Sequence, residues 1–370
     1  MTPDWTAVRS LFPALAHWTY LNTATFGQLS TRSMAAVTAH FERRTELACM
    51  DFLSWFDDHD RLRGKLASLI NATSDDIAFI PNASSALGLL LNGLDWRPGD
   101  EVVTLENEFP NHIYAPLARA ITLREVPLSR LLDSLTARTR LVALSAVNYA
   151  TGLRVPLETV AAELRRRGIL FYVDATQMLG ALRFDFARIQ PDLLAVNCYK
   201  WMLAPNGAAF MAVAPELRAR LEPQTVGWRS HRDWRNVNAL WQGRPEFTSA
   251  AECYEGGMLA SSVLYALEAS VDLMLELTPA AIEQRCLRLA AEVRAMLPAA
   301  LPYADSAIAC APLPDAGAVA TRLKQERIVV SARNGMLRVS THFYNDESDL
   351  AALRQGLDSG GFSSFFSSLR

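Results

Sequence analysis

An α/β fold is what this sequence predicts, with a mostly parallel seven-stranded sheet between helices and a smaller α+β domain after it. Three observations carry that expectation. Seven short apolar runs between residues 75 and 213 alternate with helical patterns. A long apolar-periodic stretch over 258–277 closes that region. The chain has 370 residues, half apolar and a fifth charged, which is the length and balance of a globular chain of roughly two or three domains.

The seven runs are DIAFI (76–80), EVVTL (101–105), TLREV (122–126), LVALS (141–145), ILFYV (169–173), DLLAV (192–196) and AAFMAV (208–213). Amphipathic stretches such as VPLETVAAELRRRG (155–168) lie between several of them. Strands that alternate with helices pair in parallel, because each crossover helix returns the chain to the same edge and covers a face of the sheet. Ligands in such sheets bind beyond the carboxyl ends of the strands, so the residues just after each run are the first candidates for function.

The domains are expected as an N-terminal segment (1–25), a large α/β domain (26–260) and a small α+β domain (261–370). The first 25 residues are expected beside the small domain or across a subunit boundary. Residues 215–255 read as irregular, with GWRSHRDW (227–234) and WQGRPEF (241–247), and the tail GGFSSFFSSLR (360–370) as poorly ordered.

Composition excludes several classes. A net charge of −3 and a pI of about 6.1 give no basic surplus for nucleic acid or an anionic membrane. The N-terminus shows no signal-peptide pattern, and no apolar window reaches the roughly 18 residues of a membrane span. Five scattered cysteines without a CxxC pair suit free thiols in a reducing cytoplasm, and the six histidines show no metal-ligand spacing. No GxGxxG turn follows the first run, which argues against a nicotinamide dehydrogenase.

Four sites near strand ends are candidates to carry chemistry. In PNASS (81–85), small hydroxylated residues at a helix start offer N–H and O–H donors to a phosphate, or simply cap the helix. In YVDATQ (172–177), Asp174 ends a strand where a carboxylate pairs with a cationic heteroaromatic nitrogen, or caps a turn; Gln177 is placed to reach a neighbouring ring oxygen. In NCYKWMLAPNG (197–207), Lys200 stands among apolar residues, where a lowered pKa frees its amine to attack carbonyls; the alternative is a solvated charge. In GMLRVSTHFYN (335–345), Arg338 lies in an apolar strand and needs a partner, either a substrate carboxylate or a structural salt bridge.

These four sites in this order, with 26 residues from Asp174 to Lys200, resemble the aminotransferase class V family of fold-type-I pyridoxal 5′-phosphate (PLP) enzymes. That family includes cysteine desulfurases, selenocysteine lyases, isopenicillin N epimerases and kynureninases. The resemblance runs from YLNTATFG (20–27) to LRVSTHFYN (337–345). It implies that Lys200 forms the Schiff base and shuttles the proton. Asp174 would bind the pyridinium nitrogen, with Gln177 and Asn148 near the phenolic oxygen. Ala83, Ser84, Asn197 and Tyr199 would hold the phosphate, Phe109 would lie over the ring, and Arg338 would grip the substrate carboxylate. Gly257 and Met258 in YEGGML match a segment that reaches the partner subunit's phosphate, which implies a homodimer with active sites at the interface.

Departures narrow the subtype. Phe109 stands where desulfurases carry a histidine, and VVSARNGMLR (329–338) replaces their cysteine loop, so no thiolate is available for a persulfide. Tyr199 and Asn197 replace a histidine and a serine but keep hydrogen-bonding groups. Cys198 reads as a packed thiol. The expected activity is a class V aminotransferase that acts on an amino acid through an external aldimine and Cα-proton abstraction, with a keto acid as second substrate. A β-lyase (C–S lyase) and an epimerase are the alternatives. A PLP-fold regulator is disfavoured, since the family pattern begins at YLNTATFG with no preceding DNA-binding segment and the Lys200–Asp174 pair is retained. Side-chain specificity is expected from loops 24–28, 149–152 and 225–250.

Overall fold

The structure is a computed structural model that describes residues 3–303 and 305–359; the expectation for the tail lies outside the described residues. All seven runs form strands of one sheet. Their order is Ile77–Ile80, Ala209–Val213, Leu193–Asn197, Leu170–Asp174, Thr139–Ser145, Glu101–Leu105, Thr122–Val126. Ala209–Val213 alone runs antiparallel to its neighbours; the other pairings are parallel.

Side chains alternate between two buried faces, as the period of two in a strand requires. Val103, Val142, Phe171, Leu194 and Phe210 join one core with the helix Leu157–Arg167. Val102, Ala143, Tyr172, Ala195 and Met211 join the other with the helix Ala83–Asn92. Burial on both faces explains why these strands read as continuous apolar runs.

A third core lies in the C-terminal part, where the sheet Ser331–Arg333, Met336–Ser340, Ile308–Pro312 packs on the helices Pro279–Met296 and Glu347–Ser359. The N-terminal segment runs beside it: Thr19–Tyr20 pairs with Ile328–Val329, and Asn22 bridges to Ser340. The apolar stretch expected from 258 becomes the helix Ser261–Leu277; Gly256, at φ +72°, and the loop after it delay the start. Among the described residues no helix is long and apolar enough to cross a membrane.

Candidate active site

The candidate lysine, Lys200, sits in a hairpin connection. Leu193–Asn197 and Ala209–Val213 pair antiparallel, and the connection 198–208 is closed by Cys198 N–H to Ala208 O (3.0 Å) and Ala204 N–H to Cys198 O (3.0 Å). Lys200 in this loop is 8% exposed, and its Nζ lies 5.6 Å from the Phe109 ring centroid and 5.7 Å from that of Tyr199. No hydrogen bond or ion pair ties Nζ among the described residues. Burial lowers its pKa to about 8; Asp174 opposes the shift, and Arg338 and Arg333 add to it. A neutral, unpartnered amine is thereby accessible near neutral pH.

Asp174 ends the neighbouring strand and is buried. Its Oδ1 accepts from Thr176 N–H (2.8 Å), leaving Oδ2 without a protein hydrogen bond among the described residues. Phe109 precedes the helix Pro110–Leu117 and packs edge-on against Tyr149, ring centroids 5.3 Å apart. Its backbone N–H donates to the Glu108 carboxylate, which also accepts from Ser145 N–H and Oγ, and Ser145 is the register partner of Asp174. The aromatic ring and the carboxylate are thus anchored to one rung of the sheet.

Other expected residues are already engaged. Gln177 Nε2 donates to Ala24 O (3.0 Å) and Oε1 accepts from Trp201 Nε1 (2.8 Å), so one amide hydrogen is left for a ring oxygen. Asn148 Oδ1 accepts from Ala150 N, Thr151 N and Thr151 Oγ1, while Nδ2 donates to Asn107 O. Asn82 caps the helix Ala83–Asn92 by accepting from Ser85 N–H, and Ala83 N–H donates to Asn197 Oδ1 (2.9 Å). Ser84 is exposed. The Tyr199 ring tilts against Phe26 at 5.3 Å. Gly257 has open space around it, and Met258 is 49% exposed. Cys198 is fully buried and burial pushes its thiol up, as a packed side chain requires.

Arg338 has no acidic partner among the described residues. It is 1% exposed, and its guanidinium donates to Ser331 Oγ (3.1 Å), Tyr149 O (2.5 Å), Thr25 Oγ1 (2.7 Å) and Asn22 Oδ1 (3.4 Å), all neutral. Burial, with Arg333 nearby, pushes its pKa down to about 10. An uncompensated buried cation is costly, and a carboxylate ligand would relieve that cost.

Sequence reasoning missed Arg333 and Gly27. Asn334 and Gly335, both with positive φ, turn the hairpin that pairs Ser331–Arg333 with Met336–Ser340. Arg333 and Arg338 therefore share a face, and Arg333 Nη2 reaches the same Thr25 Oγ1 at 3.4 Å. The Asn-Gly pair was the available signal. Gly27 passes so close to the lysine loop that a Cβ there would lie 2.0 Å from Lys200 O, and no local pattern marks such an approach.

The residues present fit PLP. A buried amine without a partner, a free carboxylate oxygen on the adjacent strand and an aromatic face beside the amine match an aldehyde, a pyridinium nitrogen and a ring. Fold and site together define a fold-type-I PLP-dependent enzyme. The chain belongs to the aminotransferase class-V family, whose model matches residues 54–303. It is 28% identical to an uncharacterized protein of Schizosaccharomyces pombe, over 62% of this chain but only 56% of that one. It is 29% identical to isopenicillin N epimerase of Amycolatopsis lactamdurans, over 94% and 96% of the two chains. Among solved structures it is similar to C-DES at 25% identity. A C-DES mutant with glycine covalently linked to the PLP cofactor gives a TM-score of 0.86 over 96% of this chain and 99% of that one. The cystine C–S lyase C-DES with its product cysteine persulfide gives 0.84 over 94% and 98%.

Proposed function

We propose that this protein is an aminotransferase that removes the α-proton of an amino acid with Lys200 and takes a keto acid as its second substrate. The observation that carries the reading is the buried, unpartnered Lys200 amine with its pKa near 8, between the Phe109 ring and the Asp174 strand. PLP, when bound, supplies the aldehyde that captures amino groups and the ring that delocalises the resulting electron pair.

The chain's own groups do the rest. Asp174 Oδ2 would hold a proton on the ring nitrogen, Phe109 would pack against the ring, and Asn148 and the remaining amide hydrogen of Gln177 would serve its phenolic oxygen. Ala83, Ser84, Asn197 and Tyr199 would hold the phosphate. Arg338 binds the substrate α-carboxylate, which would be its first anionic partner, and Arg333 adds positive charge beside it. Lys200 Nζ then moves the proton at Cα.

The same reading includes a homodimer, supported by the exposed Trp241 (86%) on the irregular segment and Met258 just after it, and a cytoplasmic location, supported by five free cysteines. A second reading, a β-lyase acting on a C–S bond, is favoured by the likeness to the cystine C–S lyase C-DES. A screen of amino acids against the yellow holoenzyme separates the two. Release of the matching keto acid with loss of the yellow form supports the aminotransferase. Pyruvate, alanine or a sulfur species with the yellow form regenerated supports the lyase and overturns the first reading.

A further inference from the structure

A second built site lies away from the lysine, where the irregular segment folds onto the helix Ser54–Ile70. Two arginines meet there on one carboxylate. Glu255, its side chain fully shielded, accepts from Arg63 Nη1 (2.8 Å) through Oε1 and from Arg229 Nη2 (2.8 Å) through Oε2. Oε1 also accepts from Phe79 N–H (2.9 Å). Arg229 lies over the Trp234 ring at 4.2 Å, and Arg235 lies 4.1 Å from the same ring. Phe56 and Trp228 pack around Trp234 at 4.9 and 5.6 Å.

The buried part of this cluster carries two guanidinium charges against one carboxylate. Asp60 and Glu252 stand at its rim, Asp60 3.7 Å from Arg63 Nε, and both pair with Arg235, so over the whole cluster three carboxylates balance three guanidinium groups; burial opposes, but Glu255, Glu252 and Asp60 hold the Arg63 pKa above its usual value. Burial lowers the pKa of Arg229, and burial with both arginines drives His59 down to about 3, so His59 adds no charge.

Thirteen buried side-chain nitrogen and oxygen atoms lack a hydrogen-bond partner among the described residues. Six belong to this cluster: Arg63 Nη2, Arg229 Nε and Nη1, Trp234 Nε1 and both ring nitrogens of His59. Apart from one nitrogen of the neutral His59, every one is a donor. Each buried donor left unmet carries its full desolvation penalty. Buried N–H donors in excess of acceptors, enclosed by aromatic rings, are complementary to an anion small enough to be surrounded by N–H groups. We propose that this cluster binds a small monovalent anion of chloride size, which locks residues 227–234 and 255–258 onto the helix Ser54–Ile70.

Bromide provides the probe. Crystals of the holoenzyme grown in chloride and soaked in bromide should show an anomalous peak beside Arg229 and Trp234, whereas waters alone, with no anomalous signal, would overturn the proposal. In solution, holoenzyme moved from gluconate to chloride at equal ionic strength should gain a saturable rise in Tm of about 2–4 °C. Trp234→Phe keeps an aromatic ring and deletes Nε1–H; its half-saturating chloride concentration should rise several-fold. Arg229→Met should abolish the dependence, and if it does not fold, Trp234→Phe carries the test. A Tm indifferent to chloride in the wild type, or a dependence unchanged in Trp234→Phe, would also overturn the proposal. Neither measurement depends on which reaction Lys200 performs.

Discussion

The indole Nε1 of Trp201 donates to Gln177 Oε1 at 2.8 Å, tying the residue after Lys200 to the turn after Asp174. Both side chains are buried. Trp201→Phe removes the donor and strands the acceptor, so the apo-protein should lose about 1–3 kcal/mol of stability in a denaturant melt. An unchanged midpoint would mean that the tie contributes nothing to holding the segments of Lys200 and Asp174 together.

If Lys200 captures the cofactor as proposed, its amine sets the pH dependence of that step. Its amine is protonated below about pH 8 and free above it. The rate at which apo-protein binds PLP should therefore rise roughly tenfold per pH unit below that point and level off above it. Stopped-flow absorbance measures this, and a curve bending near the ordinary lysine value would contradict the buried setting. Lys200→Ala should lose all borohydride-trappable cofactor; trapping that survives the substitution would place the Schiff base elsewhere.

Arg338→Ala should weaken amino-acid binding by about 2–5 kcal/mol, the scale of a buried charged pair losing one partner. Spectral titration of the holoenzyme reads this directly. Arg333→Ala should cost less, because Arg333 is less buried than Arg338. Equal affinity in the Arg338 variant would leave the clamp without support.

Gly27→Ala tests a packing relationship. The added methyl would sit 2.0 Å from Lys200 O and 2.7 Å from a methyl of Leu203, so the lysine loop must shift. Overpacking of this kind costs about 1–3 kcal/mol. The expected result is a lower Tm together with weaker PLP binding in an equilibrium titration. A variant with normal cofactor affinity would show that the loop tolerates the shift.

The sequence by itself determined the sheet, because strands buried on both faces must be apolar throughout and are bounded by polar turns; all seven runs are strands, the edge strand Thr122–Val126 being the one with exposed polar residues. It also placed Asp174 at a strand end and Lys200 just beyond one, on the same side of the sheet, whereas Phe109 was singled out only by the family resemblance. What it left open for Arg338 was a salt bridge or a free cation. Only the tertiary structure decided this, by surrounding the guanidinium with Asn22, Thr25, Tyr149 and Ser331, which lie up to 316 positions away in the chain and carry no charge. Gln177 followed the same rule: its type and position were legible, but its partners Ala24 and Trp201 come from other segments. Periodicity records which side chains are buried. The identity of what they meet depends on long-range packing, which no local pattern encodes.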